Sequence, residues 1–166
     1  MKIHTLRLKE FMPYRLSVLT NRISDLIARV YVQRFDIGVS HWRVIAVLGE
    51  EPGISATQVA ARTAQDKVTV TRAVQYLVEK GLVRRRASQT DGRVSHLVLT
   101  ARGQRVCAEI TPAALSCEQS LLAALSPEER RQLDVIVGKL MRRVAELDRS
   151  SGDRVGTEEV VPERIE

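Results

Sequence analysis

Residues 55–81, SATQVAARTAQDKVTVTRAVQYLVEKG, carry the signals for two short helices separated by a tight turn. Ser55 and Gln58 form a capping box, in which the serine hydroxyl accepts from the N–H of Gln58 and the glutamine side chain reaches back. This box predicts a short helix that ends at about Thr63. The sequence therefore predicts that a short helix begins at Ser55 and is followed closely by another helix.

The second helix is predicted to start at Asp66, which has the side chain of a good N-cap residue. Its pattern runs to Lys80 and ends at Gly81, where glycine can adopt the left-handed conformation of a helix C-terminus. Two short helices joined by three or four residues have the helix-turn-helix shape.

The two faces of this second helix differ in chemistry. The apolar positions Val70, Val74 and Leu77 are expected to face inward, against Val59 and Ile54. The opposite face presents Val68, Thr71, Arg72, Gln75 and Glu79, flanked by Lys67 and Thr69. Arginine can bond two acceptors of guanine and glutamine can bond adenine, so this face has the chemistry of major-groove recognition. An ordinary polar surface helix is the alternative.

A basic hairpin is predicted to follow directly. Residues 82–86 favour a strand, Asp91-Gly92 is a strong hairpin signal, and residues 94–99 alternate between two faces. The hairpin carries Arg84, Arg85, Arg86 and Arg93. An arginine at its tip could enter a narrow minor groove, with Asp91 pairing with a nearby arginine to fix the tip. Alternatively, the arginines protect an edge strand from aggregation.

Helices are predicted on both sides of this region. Apolar residues at steps of three and four, Leu16 to Val30, favour a first helix with Pro13 in its first turn, ending near Phe35 to Gly38, with Gly38 as its left-handed cap. Ser40 is expected to cap a second helix that passes through Trp42 and stops before Pro52.

Two further helices are predicted after the hairpin. The first runs from Thr100 to about Ala124, and Pro112 should kink or break it. A second capping box at Ser126 opens the last helix, to about Arg149, with its apolar stripe at Leu133, Ile136, Val137, Leu140, Val144 and Leu147. The polar, acidic residues 150–166 are expected to form a flexible tail.

Charge is concentrated in the middle of the chain. The 166 residues carry a net charge of +6, with 44% hydrophobic and only 4% aromatic residues. Residues 62–105 alone carry +7, whereas residues 106–166 carry −4. A concentrated positive block favours a polyanion such as nucleic acid, because such binding grows with the number of phosphates neutralised.

Several protein classes are excluded by composition. No apolar run approaches the roughly 20 residues that a membrane helix needs, and the N-terminus lacks a signal-peptide core, so we expect a cytoplasmic protein without a membrane partner. Two cysteines give no disulfide framework, and no spacing of Cys or His favours a metal site. We find no catalytic set and no phosphate-binding glycine loop. We therefore expect neither enzyme activity nor a cofactor.

The order of these elements resembles the MarR family of winged-helix transcription regulators. The pieces that carry the resemblance are Gly53-Ile-Ser-Ala-Thr-Gln-Val-Ala60, Asp66-Lys-Val-Thr-Val-Thr-Arg72, Gly81-Leu-Val-Arg-Arg85, Asp91-Gly-Arg93, Leu97-Val-Leu-Thr-Ala-Arg-Gly103 and Leu122-Ala-Ala-Leu-Ser-Pro-Glu-Glu129. The resemblance implies a homodimer that binds pseudo-palindromic DNA and commonly acts as a repressor released by a small molecule. Val68 and Tyr76 depart from the family's usual residues, which puts the operator sequence in doubt.

We therefore expect a mostly α, α+β fold in which a winged helix-turn-helix domain, 37–103, joins a helical dimerisation region, 11–36 and 104–149, after an N-terminal extension, 1–10. Burial supports the dimer independently, because the first and last helices have little within one subunit to pack against. The DNA-binding candidates are Ser55, Thr57, Lys67, Val68, Thr69, Thr71, Arg72, Gln75, Arg84, Arg86, Arg93 and Ser95, with Asp91 and Arg93 stabilising the wing.

A sensor for a small molecule is the least determined part of the chain. The resemblance implies that small, often phenolic ligands bind between the dimer helices and the DNA-binding domain, where Tyr14, Arg15, His41, Trp42 and Arg43 are the candidates. The alternative makes Trp42 a core residue. Cys107 and Cys117 lie ten residues apart on one predicted helix, roughly 15 Å along its axis, so they cannot bridge each other.

The predicted function is that of a sequence-specific duplex DNA-binding transcription regulator, a ligand-released repressor that acts as a homodimer. The alternative is a winged-helix module for dimerisation or protein interaction that does not bind DNA specifically. The salt dependence of duplex binding distinguishes the two, because only a protein that neutralises phosphates loses affinity steeply with salt.

Overall fold

The computed structural model describes residues 6–87 and 95–154, which form a mostly helical protein with one small antiparallel sheet. The elements in chain order are α1 Met12–Phe35, α2 Val39–Glu50, β1 Ile54–Ser55, α3 Ala56–Thr63, α4 Lys67–Glu79, β2 Val83–Ala87, β3 Ser95–Leu99, α5 Ala101–Leu122 and α6 Pro127–Arg154. The chain divides into two compact units, one up to Glu118 and one from Gln119. No helix in the described ranges is long and apolar enough to cross a membrane. The expected fold class is confirmed.

The junction between α1 and α2 differs from its prediction. The left-handed residue at the end of α1 is Asp36, at φ 54°, and its N–H donates to the Val32 carbonyl. Gly38 instead has extended backbone and is the N-cap of α2, so the predicted roles of Gly38 and Ser40 were both wrong. An aspartate tolerates the left-handed region better than most side chains. Ser40 lies inside α2, where its Oγ accepts from Gln65 Nε2 at 2.8 Å.

His41, the third residue of α2, reaches back to the N-cap residue Gly38. Its Nδ1 accepts the Gly38 N–H at 2.9 Å, and its ring stacks on Tyr76 of α4, with centroids 4.2 Å apart. Burial lowers the pKa of His41 below its ordinary 6.5, while the nearby Asp36 carboxylate acts in the opposite sense. The folded state therefore favours the neutral ring, whose unprotonated Nδ1 the cap requires.

This pKa predicts a pH dependence of stability. Because the folded-state pKa of His41 is depressed, its contribution is fully present above about pH 6.5 and is lost as pH falls below that value. We expect the free energy of unfolding to fall less between about pH 7 and pH 5 in His41→Gln than in the wild type, since glutamine can still cap Gly38 but does not titrate. Urea unfolding at equal protein concentration measures both slopes, and parallel slopes would contradict the prediction.

The helix-turn-helix forms as the local signals predict. Ser55 Oγ accepts from Gln58 N at 3.3 Å and Ser55 N donates to Gln58 Oε1 at 2.9 Å. Asp66 caps α4 by accepting the Thr69 N–H at 2.8 Å. Gly81 adopts φ +67° after α4. Both caps are made within three residues, which explains why the sequence alone predicts them.

The sheet has three strands, not two. Its order is β1-β3-β2, with β3 in the middle. The strand that the sequence missed is β1, only two residues long, where Ile54 pairs with Leu97 and Ser55 with His96. The predicted alternation of β3 is confirmed at Leu97 and Leu99, which are 1% and 7% exposed. The hairpin tip, residues 88–94, lies outside the described residues.

The core of the first unit gathers apolar side chains from every helix up to α5. Ile45, Val59, Val74 and Leu77 are all fully buried, and so are Leu97 and Ile110. The N-terminal turn of α5 packs so closely on the start of β2 that a Cβ built on Gly103 would lie 2.0 Å from the Leu82 carbonyl oxygen. Only glycine fits this contact.

Two features of the C-terminal helices differ from their predictions. α5 continues through Pro112 without interruption. The proline therefore does not break the helix, and a kink at this point stays a prediction. α6 is opened by the predicted Ser126 capping box, in which Ser126 N donates to Glu129 Oε2 at 2.8 Å. It extends to Arg154, five residues beyond the predicted end.

Candidate nucleic-acid interface

Helix α4 holds one face in the core and presents the other to solvent. Val70, Ala73, Val74 and Leu77 are at most 2% exposed. The predicted outer positions are all exposed, namely Lys67, Val68, Thr71, Arg72, Gln75 and Glu79, and Thr69 is half-buried. The inward face anchors α4 on α2 and α3, so the orientation of the outer face is determined by the core.

The N-terminus of α4 is rigidly capped. Asp66 accepts the backbone N–H of Thr69 and, through Oδ2, the Thr69 hydroxyl at 2.5 Å. These bonds hold the pKa of Asp66 below its usual range, the hydroxyl of Thr69 having the largest effect. The Thr71 hydroxyl donates to the Lys67 carbonyl at 2.7 Å. Both threonine hydroxyls therefore already use their hydrogen in a bond at this end of α4. Only the lone pairs of their oxygen atoms remain available to accept a hydrogen bond from a ligand.

The polar and charged side chains of the outer face differ in whether they have a partner. Gln75 Nε2 donates to Glu79 Oε1 at 3.1 Å, an i,i+4 bond that orients the glutamine amide. Arg72 and Lys67 make no hydrogen bond or ion pair within the described ranges. Their charges are thus available to a ligand without breaking an existing contact.

The preceding helix α3 contributes two further candidates. Thr57 is exposed and Ser55 is half-buried at the N-terminus of α3. Ser55 Oγ is occupied as the cap acceptor, so its hydroxyl hydrogen is the group left to donate. A phosphate oxygen could accept it, because a helix N-terminus favours negative charge.

Strand β2 supplies the second cationic element. Arg84, Arg85 and Arg86 are all exposed, and they pair across the sheet with Val98, Leu97 and His96. Both faces of β2 therefore carry exposed arginine, and β2 lies at an edge of the sheet. The predicted wing residues Asp91 and Arg93 lie outside the described residues, and so does the side chain of Ser95.

The five candidate ligand residues are not gathered in one place. Tyr14 and Arg15 are exposed in the first turns of α1. Arg43 donates to Ser24 Oγ at 3.2 Å, and His41 stacks on Tyr76. Trp42 packs on Tyr31 and is the one candidate that lines a described cleft, of about 510 Å³.

That cleft, which we call the Trp42 cleft, lies between α1, α2 and α5. Ile27, Ala114 and Leu115 supply apolar surface, and Cys107 lines it as a free thiol. Its charged lining residues are Glu50 and Glu118, with no lysine or arginine among the described residues around it. Within the described ranges, no three metal-ligating side chains meet.

Sequence interpretation missed a polar cluster that fixes the end of α4. Tyr76 Oη donates to the Asp36 carbonyl at 2.6 Å and to Asp36 Oδ2 at 2.9 Å. Lys80 Nζ donates to the same Oδ2 at 2.6 Å, and these bonds hold the pKa of Asp36 below its usual range, Lys80 having the largest effect. The i,i+4 spacing of Tyr76 and Lys80 was the one available signal, whereas Asp36 lies 40 residues away from Tyr76.

Comparison with known proteins agrees with the helix-turn-helix and the basic strand described above. Residues 35–94 match the family model described as MarR family. The transcriptional repressor MprA of Escherichia coli K12 is 30% identical over 99 residues, which span 60% of this chain and 56% of MprA. The chain thus spans little more than half the length of that relative.

Two solved structures are similar in fold and sequence. Streptococcus pneumoniae FabT in complex with DNA is 25% identical, with a TM-score of 0.66 over 81% of this chain and 95% of FabT. The Streptomyces coelicolor regulator PcaV in complex with its natural ligand is also 25% identical, with a TM-score of 0.69 over 87% of this chain and 98% of PcaV. The helix-turn-helix and the basic strand agree with these matches, and residues 35–94 are similar to the MarR family.

Proposed function

We propose that this protein is a transcription regulator that binds double-stranded DNA as a homodimer and is a repressor released by a small molecule. α4 enters the major groove with Arg72 and Gln75 toward base edges. Lys67, Arg84 and Arg86 contact phosphates. MprA is named a transcriptional repressor, and FabT is solved with DNA. Double-stranded DNA as the partner agrees with the cytoplasmic location expected from the sequence.

One observation carries this proposal. The outer face of α4 holds two cations without a partner among the described residues, Arg72 and Lys67, on a helix whose inner face is at most 2% exposed. Such a face is rigid and unoccupied, which is what direct contact with base edges requires.

The exposed apolar residues of α1 and α6 support the homodimer. On α6, eight large apolar side chains are at least 42% exposed in the single chain, namely Leu133, Val135, Ile136, Val137, Leu140, Met141, Val144 and Leu147. On α1, Leu16, Leu19, Leu26 and Val30 are exposed to a similar degree. Contiguous exposed apolar faces mark an interface, and we take a second copy of the chain as the partner that covers each of these helices.

The Trp42 cleft is the effector site that we favour. It offers an indole, an apolar wall and two carboxylates, which suits a neutral aromatic or phenolic molecule that donates hydrogen bonds. PcaV is described with its natural ligand, so small-molecule control has a precedent in a related structure.

Sequence selection tests the proposed DNA contact. Duplexes selected from a random pool should carry inverted half-sites about 10–10.5 base pairs apart, the spacing of two helices in successive major grooves. On the selected site, Arg72→Ala should lose about 1–3 kcal/mol of discrimination at one base pair of each half-site, because a bidentate contact is removed. Competition titrations against single-base variants measure this.

Arg84→Ala is the contrasting variant for this test. It removes a phosphate contact and should weaken binding to all duplexes alike. If Arg72→Ala kept the full base preference of the wild type, the proposed contact between Arg72 of α4 and a base edge would be wrong.

A further inference from the structure

One large apolar side chain lies on the outer face of α4. Among the described residues between 37 and 103, Val68 is the only large hydrophobic residue that is exposed, with 60% of its surface accessible. The other apolar residues Val70, Val74 and Leu77 of the same helix are at most 1% exposed. Val68 is therefore not part of the core, and its apolar surface is open to a partner.

The cap of α4 fixes the backbone at Val68. Val68 is the second residue of this helix, next to the Asp66 cap that accepts the Thr69 N–H at 2.8 Å. Valine is branched at Cβ, and in a helix it has one strongly preferred side-chain rotamer. A partner that covers the two methyl groups of Val68 therefore loses little free energy in ordering them.

A base in the major groove suits this side chain better than a protein partner does. A stable protein–protein interface buries about 800 Å² on each side around an apolar centre, whereas the residues that adjoin Val68 on the outer face, Lys67, Thr71 and Arg72, are polar or charged. DNA presents apolar groups of matching size singly. Thymine is the one standard base that carries a methyl group in the major groove.

Arg72 indicates where that methyl group should lie in the binding site. Val68 and Arg72 are four residues apart on α4, and side chains at this spacing are neighbours on one helix face, with Cβ atoms about 5–6 Å apart. Successive base pairs are about 3.4 Å apart along the duplex. A base that Val68 contacts should therefore lie within about two base pairs of the base that Arg72 contacts.

We infer that Val68 recognises the 5-methyl group of a pyrimidine, a thymine of the bound half-site, within about two base pairs of the Arg72 contact. The methyl groups of Val68 pack on the methyl group of the base, and water is excluded from both. This inference rests on the proposed function, because it names a second base that α4 recognises in the major groove. The contact adds sequence preference without a hydrogen bond.

Replacing thymine by uracil tests the contact, because uracil lacks the methyl group and keeps the O4 acceptor. Each thymine of the selected duplex is replaced in turn, in both half-sites at once, and the affinity is measured by competition titration. We expect one position to weaken binding about fourfold for each half-site, as the loss of one buried methyl group should. At the same position, 5-methylcytosine should bind more tightly than cytosine by a similar factor.

Val68→Ala should remove the difference between thymine and uracil at that position, because alanine lacks both methyl groups that make the contact. Alanine is a better helix former than valine, so α4 remains folded in this variant. Gln75→Ala is the matched control, since it shortens another exposed side chain of the same helix. It should keep the preference for thymine at the position that Val68 contacts.

The inference is overturned if no thymine position is sensitive to uracil, if Val68→Ala keeps the preference for thymine, or if Gln75→Ala loses it as well. Equal binding of the thymine and uracil duplexes by a protein that still discriminates through Arg72 would leave the proposed function standing while this inference fails. A protein without sequence-specific duplex binding would contradict both.

Discussion

Leu140→Asp should convert the protein from a dimer to a monomer at concentrations where the wild type is dimeric. Leu140 is 48% exposed on the apolar face of α6, and the proposed two-fold interface would bury it in both subunits. Each copy loses about 1.5–3 kcal/mol of apolar burial and gains an unpaired charge. Because the change occurs twice, we expect the dimer to weaken by at least about 4 kcal/mol, roughly a thousandfold in its dissociation constant.

Arg142→Asp is the matched control. It introduces aspartate on the same helix, at the same cost in helix propensity, but off the apolar face. Sedimentation equilibrium should show a dimer for this variant and for the wild type, and circular dichroism should show that both variants remain helical. A wild-type monomer, or equal dissociation of both variants, would contradict the proposed interface.

Gly103→Ala should cost about 3 kcal/mol of the free energy of unfolding, or more. The added Cβ would lie 2.0 Å from the Leu82 carbonyl oxygen and 3.0 Å from its carbon, so either α5 or β2 must move. Overpacking of a close-packed contact costs about 1–3 kcal/mol, and backbone atoms relax less readily than side chains. Thermal unfolding or urea unfolding measures the loss.

Gly138→Ala provides the comparison within a helix. Its Cβ would lie 3.6 Å from the end of a flexible arginine, Arg142, so the substitution is free of strain. Alanine is a better helix former than glycine by about 1 kcal/mol, and we expect Gly138→Ala to keep or raise stability. If Gly103→Ala were as stable as the wild type, the close contact between Gly103 and the Leu82 carbonyl would be contradicted.

The sequence predicts best those features whose partners are close in the chain. The Ser55 and Asp66 caps, the left-handed Gly81 and the buried face of α4 all depend on residues three to seven positions apart. The α1–α2 junction was mispredicted for a related reason, since three neighbouring residues could each end or start a helix. The choice of Asp36 depends on Tyr76 and Lys80, which are distant in sequence.

Features that depend on distant pairing were not predictable. β1 has only two residues, too few for an alternating pattern, and it exists because β3 pairs with it. The cluster of Asp36, Tyr76 and Lys80 joins the end of α1 to the end of α4, and no local motif indicates that these ends meet. Among the candidate ligand residues, Trp42 lines a described cleft, whereas Arg43 bonds to Ser24 and His41 stacks on Tyr76. The role of all five stays a prediction.

The most direct test of the central claim is duplex affinity measured over a range of salt concentrations. Lys67, Arg84 and Arg86 are exposed in each subunit, and these six cations of a dimer predict a log–log slope of about −5 at about 0.9 per phosphate contact. Lys67→Ala should reduce the slope by about 2, whereas Lys139→Ala on α6 should not change it. If duplex binding were absent in dilute buffer, or did not change with salt, the proposed DNA contact would be contradicted. That result would favour a winged-helix module for dimerisation or protein interaction that does not bind DNA specifically.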